Sequence, residues 1–350
     1  MARLLGEGGR GDGEGDAPGR TRTTGVDRRR FLGAGMTALA GFSMAGAGDR
    51  PALASMPPQT PEEPEVTEPY IDAHSHVWTP DLDRYPLADG FARSDMQPPS
   101  FTAEELLATC RPLGVGRVNL IQMSYYGFDN SYMLDMIAAY PGRFVGTAII
   151  DPAGPDPASA MAELRPRGVV AFRIQPQVLG LPVDRWLDHP GYEAMFTQAA
   201  EGRQAISCLI GPDALPEVAR MCGRHPDAPV IIDHLARIGV DGTIRDADIE
   251  TLCGLARHPN LYVKIGAFYA LSPAGPPYLD LAPMIRRVLD AFGPDRCMWE
   301  SDCPFQVVDH TYEDSLSLIR DRLDFLTDSD RDQLLAGTAE ALLFRPRPLN

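Results

Sequence analysis

The chain has 350 residues, 44% of them hydrophobic and 23% charged, which allows one large α/β domain or two ordinary ones with a sizeable core. Its formal net charge of −16 excludes a surface built to grip nucleic-acid phosphates, because that needs clustered cations.

Residues 1–54 read as a leader. The first 26 are rich in Gly, Arg and Thr and carry no apolar period. Asp27-Arg28-Arg29-Arg30-Phe31-Leu32 then precedes a small-residue apolar run, 33–47, and an Ala-x-Ala site at 45–47 or 52–54. A basic segment, a short apolar segment and a small-residue cleavage site predict an export signal, and the run is too short to leave a membrane span in the mature protein. The paired arginines before Phe31 are similar to the twin-arginine type, which implies the twin-arginine export machinery as a partner and a periplasmic or extracellular location. Residues 55–69, with Pro and Glu interspersed, predict a linker. The six cysteines, at 110, 208, 222, 253, 297 and 303, show no pair motif and mostly sit in apolar runs, so buried free thiols are expected.

From residue 70 the chain alternates short apolar runs with helical periods. The expected strands are 70–76, 117–123, 143–150, 168–175, 204–210, 229–234, 261–266 and 296–302. The expected helices are 102–113, 130–140, 156–165, 192–202, 213–224, 246–257 and 279–292, with 312–325 and 329–344 closing the chain. Eight strand-helix units in one domain, 70–350, match a parallel (β/α)8 TIM barrel. A doubly wound nucleotide fold has no support, since no Gly-rich phosphate turn follows the first strand.

In such a barrel the chemistry sits at the C-terminal strand ends, so the ends of these runs are where function is sought. The first reads Tyr70-Ile71-Asp72-Ala73-His74-Ser75-His76-Val77-Trp78, and strict alternation places Asp72, His74 and His76 on one face. The second delivers Gln122 and leads to Tyr125; the fourth carries Arg173; the sixth ends in Asp233-His234 and leads to Arg237; the eighth ends in Glu300-Ser301-Asp302. Ionisable groups at so many strand ends are costly to bury without a purpose. Lys264, on the seventh, is the only lysine in the chain, which marks a place where a compact ammonium is required.

Asp-x-His-x-His on the first strand, Asp233-His234-Leu235-Ala236-Arg237, Val263-Lys264-Ile265-Gly266, Met298-Trp299-Glu300-Ser301-Asp302-Cys303-Pro304 and a closing Gly337-Thr338-Ala339 together resemble the amidohydrolase superfamily. More closely they resemble its amidohydrolase-related TIM-barrel hydrolases, a branch with sugar lactonases and the 2-pyrone-4,6-dicarboxylate lactonase. Decarboxylases of the superfamily place a His at the end of the fifth strand; here Ala205-Ile206-Ser207-Cys208-Leu209-Ile210-Gly211 has none, which favours the lactonase-like branch.

The resemblance implies hydrolysis of a small anionic lactone or ester-like carbonyl, with Asp302 as general base. It implies that His74, His76, His234 and Asp302 either hold one divalent ion, zinc by preference, or polarise the carbonyl directly. Catalytic roles fall to Asp302, His234 and Lys264, and contacts to the anionic substrate to Arg173, Gln122, Tyr125 and Arg237. The alternatives are a non-oxidative decarboxylase of the same superfamily and a non-enzymatic exported binding protein.

Overall fold

A computed structural model describes residues 68–345. The expected leader and the linker up to residue 67 lie outside the described residues. Eight strands, β1 Tyr70–Ser75, β2 Val115–Ile121, β3 Phe144–Ala148, β4 Val169–Ile174, β5 Ala205–Cys208, β6 Val230–Ile232, β7 Leu261–Ile265 and β8 Cys297–Trp299, pair in parallel in chain order. The ring closes just beyond β8, where Ser75 bridges Cys303, the His76 amide donates to the Cys303 carbonyl at 2.7 Å, and the Asp302 amide donates to the His74 carbonyl at 2.9 Å. This is the TIM barrel expected from the alternation of strand and helix patterns. Every strand stops short of its expected C-terminal end, β1 at Ser75 and β8 at Trp299.

The connecting helices are α1 Ala103–Cys110, α2 Ser131–Ala139, α3 Pro157–Leu164, α4 Pro190–Gly202, α5 Leu215–Arg224, α6 Asp246–Gly254, a short α7 Phe268–Leu271 and α8 Ala282–Phe292. Their starts are written in the sequence: the Thr102 hydroxyl and Glu105 carboxylate form a reciprocal capping box on α1, and Asp156 caps α3. Arg111-Pro112-Leu113-Gly114 and Arg165-Pro166-Arg167-Gly168 use one device twice. Each proline turn ends on a glycine in the left-handed region (φ 85° and 88°) and feeds directly into the next strand.

A small apolar cluster of Ile71, Ala73, Ala171, Ala205, Ile231 and Met298 fills the N-terminal half of the barrel, and Ala339 and Leu343 of the closing helical segment complete it. A much larger cluster lies between the strands and the helices. Each fully buried Leu, Ile or Phe in it contributes about 1.5–3 kcal/mol, so the mouth can carry strained and polar groups on a stable frame. The two closing helices expected at 312–325 and 329–344 are each interrupted by wider π-type turns, at Leu318–Arg322, Gln333–Gly337 and Glu340–Phe344.

All six cysteines are free thiols, five of them buried. His189, His225, His258 and His310, whose positions in loops and at helix ends suggest surface residues, are instead half-buried. His225, for example, sits 2.9 Å from Glu193 and packs on Phe196.

Candidate active site

Strict alternation along β1 does not survive. A register shift between Asp72 and Ser75 inserts one extra residue, so Asp72 parts company with the histidines. Its buried carboxylate accepts hydrogen bonds from the His74 and Ser301 amides and from the hydroxyls of Ser75, Ser301 and Tyr312. His74 and His76, freed from the ladder, converge: their Nε2 atoms lie 3.2 Å apart, and Asp302 Oδ1 is 3.5 Å from the first and 3.2 Å from the second. His234, at the end of β6, brings a third imidazole, and ligand atoms of His74, His234 and Asp302 lie within 4.8 Å of one another.

The backbone is strained where it delivers these groups. His234 (φ 54°), Leu235, Ala236 and Arg237 form a left-handed turn, and Asp302 (φ 57°) is left-handed too. Such conformations cost about 1–3 kcal/mol each for non-glycine residues and persist only where the surroundings over-determine them.

Proton positions follow from the partners. His76 Nδ1 lies 2.9 Å from the Ile121 carbonyl, which only accepts, so Nδ1 carries the proton and Nε2 presents a lone pair. His234 Nδ1 lies 2.5 Å from Glu300 Oε1, with the same consequence. His74 Nδ1 faces Glu300 Oε2 at 3.1 Å and the Lys264 ammonium at 3.2 Å. Burial pushes His74 and His76 below the usual histidine pKa; the Lys264 charge adds to this at His74, whereas Asp302 opposes it at His76. Burial would also lower His234, but Glu300, Asp302 and Asp233 outweigh it and raise its pKa. Burial resists ionisation of Asp302, yet His234, His76 and His74 hold its carboxyl well below the usual range.

The His76 Nε2 lone pair, His74 Nε2 and the Asp302 carboxylate converge on one point. Three imidazoles and a carboxylate are an N/O donor set suited to a divalent transition ion, so the residues fit the metal site expected for them. Cys208, in contrast, is buried on β5 and its thiol is pushed up by burial.

The remaining expected residues divide. Lys264 is fully buried, 3.0 Å from Asp233 Oδ1, which also accepts from the Ser207 hydroxyl. Arg173 lies 3.5 Å from both Asp233 and His234 Nε2. Arg237 is half-buried close enough to Arg173 for the two charges to repel, which adds to burial in lowering its pKa. Gln122 and Tyr125, expected at the substrate, have protein partners of their own. The Gln122 amide donates to the Asp129 carbonyl, and Tyr125 is sealed among Trp78 and Phe91 with its phenol pushed up to about 12 by burial. Apolar packing of Tyr125 outweighed the polar reading of its hydroxyl.

Two residues without an assigned role in the sequence reading enter the site. Tyr269, two residues past Ala267 in α7, donates its hydroxyl to Asp302 Oδ2 at 2.8 Å. Glu300 spans His74 and His234 with its two oxygens. The four exposed large apolar side chains among the described residues, Phe128, Val240, Leu279 and Val308, lie on the segments that follow β2, β6, β7 and β8.

The amidohydrolase family model matches residues 71–345, the whole of the barrel. The chain belongs to the amidohydrolase family. It is therefore a hydrolase of that superfamily, and several of its relatives have lactone-hydrolase names. A 4-sulfomuconolactone hydrolase of Rhizobium radiobacter is 28% identical over 67% of this chain and 75% of its own. An L-fucono-1,5-lactonase of Burkholderia ambifaria is 28% identical over 67% of this chain and 80% of its own. Among solved structures, an amidohydrolase of Burkholderia multivorans with bound zinc superposes with a TM-score of 0.66 at 22% identity, over 79% of this chain and 99% of that one. Among the described residues, no helix is long and apolar enough to cross a membrane.

Proposed function

We propose that this amidohydrolase opens a small anionic lactone by attack of water, with Asp302 as general base. The observation that carries the reading is the convergence of His74, His76 and Asp302 around one point, with Tyr269 holding the second oxygen of Asp302. Tyr269 fixes Oδ2, which leaves Oδ1 to face the reacting centre. Asp302, being ionised, takes a proton from water as the water oxygen bonds to the lactone carbonyl carbon. The proton then passes to the ring oxygen as its bond to that carbon breaks, giving a hydroxy acid.

His74, His76, His234 and Asp302 are the residues that would hold a single divalent ion. When bound, the ion supplies Lewis acidity at the carbonyl and makes the water more acidic. Arg173 and Arg237 answer the substrate's negative charge. The two arginines favour an anionic lactone over a neutral sugar lactone.

A panel containing an anionic unsaturated lactone, a neutral sugar lactone and a hydroxybenzoic acid tests this. The anionic lactone is expected to show the highest kcat/KM. Preference for the sugar lactone would overturn the substrate class, and release of CO2 from the aromatic acid would overturn hydrolysis in favour of decarboxylation.

A further inference from the structure

We infer that Gln306 is a positioning residue for Asp302, acting through Tyr278 on the segment that carries Tyr269. The inference rests on the reading of Asp302 as general base. Tyr269 is only half-buried, so its own packing does not fix its hydroxyl against Asp302 Oδ2. The segment around it does. From Phe268 to Leu281 the chain is bonded to itself: the Ser272 amide donates to the Phe268 carbonyl at 2.9 Å, the Ser272 hydroxyl meets the two Asp280 oxygens at 2.7 and 2.9 Å, and the Leu281 amide donates to the Tyr278 carbonyl at 3.0 Å. A loop closed in this way shifts as a unit, so whatever anchors Tyr278 also places Tyr269.

Tyr278 is fully buried in the left-handed region (φ 59°), with its ring 5.7 Å from that of Phe268, the residue before Tyr269. A tyrosine holds such a backbone only where its surroundings over-determine it. Here they come from the segment after β8. Gln306 Nε2 donates to the Tyr278 hydroxyl at 3.0 Å, and the same hydroxyl is hydrogen-bonded to His310 Nδ1. Gln306 is fully buried as well, and its Nε2 also donates to the Thr311 carbonyl at 2.8 Å, which only accepts and so fixes the orientation of the amide. Its backbone amide reaches the Asp302 carbonyl at 3.4 Å. A circuit thus runs from the Asp302 backbone through Gln306, Tyr278 and Phe268 to Tyr269, and back to the Asp302 carboxylate. Gln306 Oε1 is buried with no partner among the described residues. A buried amide with one end unpaired adds little to stability, which marks Gln306 as kept for what its other end holds.

Gln306→Leu nearly keeps the length of the side chain and removes both donations, whereas Tyr278→Phe keeps the ring on Phe268 and removes the hydroxyl. Either is expected to lower kcat by up to about a hundredfold with KM little changed, the scale of loss when a catalytic group is displaced by about 1 Å. No further loss is expected from either in a Tyr269→Phe background, because the circuit acts through that hydroxyl. A substrate-free readout accompanies the kinetics. With tyrosine labelled at 13Cζ, the Tyr269 signal is assigned by its absence in Tyr269→Phe, and in Gln306→Leu it should move to the position of a solvent-exposed phenol.

A folded Gln306→Leu that keeps the native Tyr269 signal would overturn the inference, as would losses from Gln306→Leu and Tyr269→Phe that simply multiply. If Gln306→Leu does not fold, Tyr278→Phe decides by the same two readouts. A native chain that opens no lactone would refute the reading of the function, and the Tyr269 signal would still decide the circuit.

Discussion

Lys264 illustrates how a residue singled out by its rarity is put to work. Its ammonium is fully buried between Asp233 at 3.0 Å and His74 at 3.2 Å, with the Asp233 carboxylate held well below the usual range against burial by Lys264, His74 and Arg173. Replacing it with methionine strands Asp233 as a buried charge, a loss of about 3–5 kcal/mol for a broken buried pair. Lys264→Met should therefore lower the denaturation midpoint as well as turnover. Normal stability with reduced turnover would return Lys264 to direct contact with substrate. The histidines and Asp302 were legible in the sequence because strand ends in a barrel meet at one place. Glu300, Asp233 and Tyr269 had no readable roles: which oxygen meets which nitrogen depends on the bulge in β1 and on turns that lie outside any periodicity.

At the scale of elements, the weakest seam of the barrel is the one between β1 and β8, which pair only through the segment just past β8. The Asp72 carboxylate fastens it by accepting from Ser301 on one side and Ser75 on the other, while Tyr312 adds a hydroxyl at 2.6 Å from the helix that follows. Tyr312→Phe removes one charge-assisted hydrogen bond inside the protein, so a loss of about 1.5–3 kcal/mol is expected in chemical denaturation. A variant as stable as the native chain would show that Tyr312 does not brace the seam. Strand and helix positions were readable to within a few residues because apolar period and caps are local signals. The left-handed turn at His234–Arg237 was not, since His234-Leu235-Ala236-Arg237 contains no glycine to announce it.

On the scale of the whole molecule, the described chain enters the barrel through Glu68, which the linker reading left unstructured. Its carboxylate bonds Arg143 and Arg111, and despite burial these lower its pKa. A lowered carboxylate pKa stabilises the fold above the ordinary Glu range and loses that stabilisation as pH falls through it. The arginines are partly exposed, so the contribution is about 0.2–1 kcal/mol. Glu68→Gln should be less stable than the native chain at neutral pH by that amount, with the gap closing in acid; a gap that widens in acid would contradict the assignment. The mouth brings two arginines near the ionised Asp302 carboxylate, and the account stands or falls on that carboxylate. The most direct measurement compares native protein and Asp302→Asn on an anionic lactone, following ring opening and, separately, equilibrium binding. The account predicts a loss of turnover of at least about a hundredfold with binding still measurable and the fold intact, whereas native-like ring opening by Asp302→Asn would contradict it.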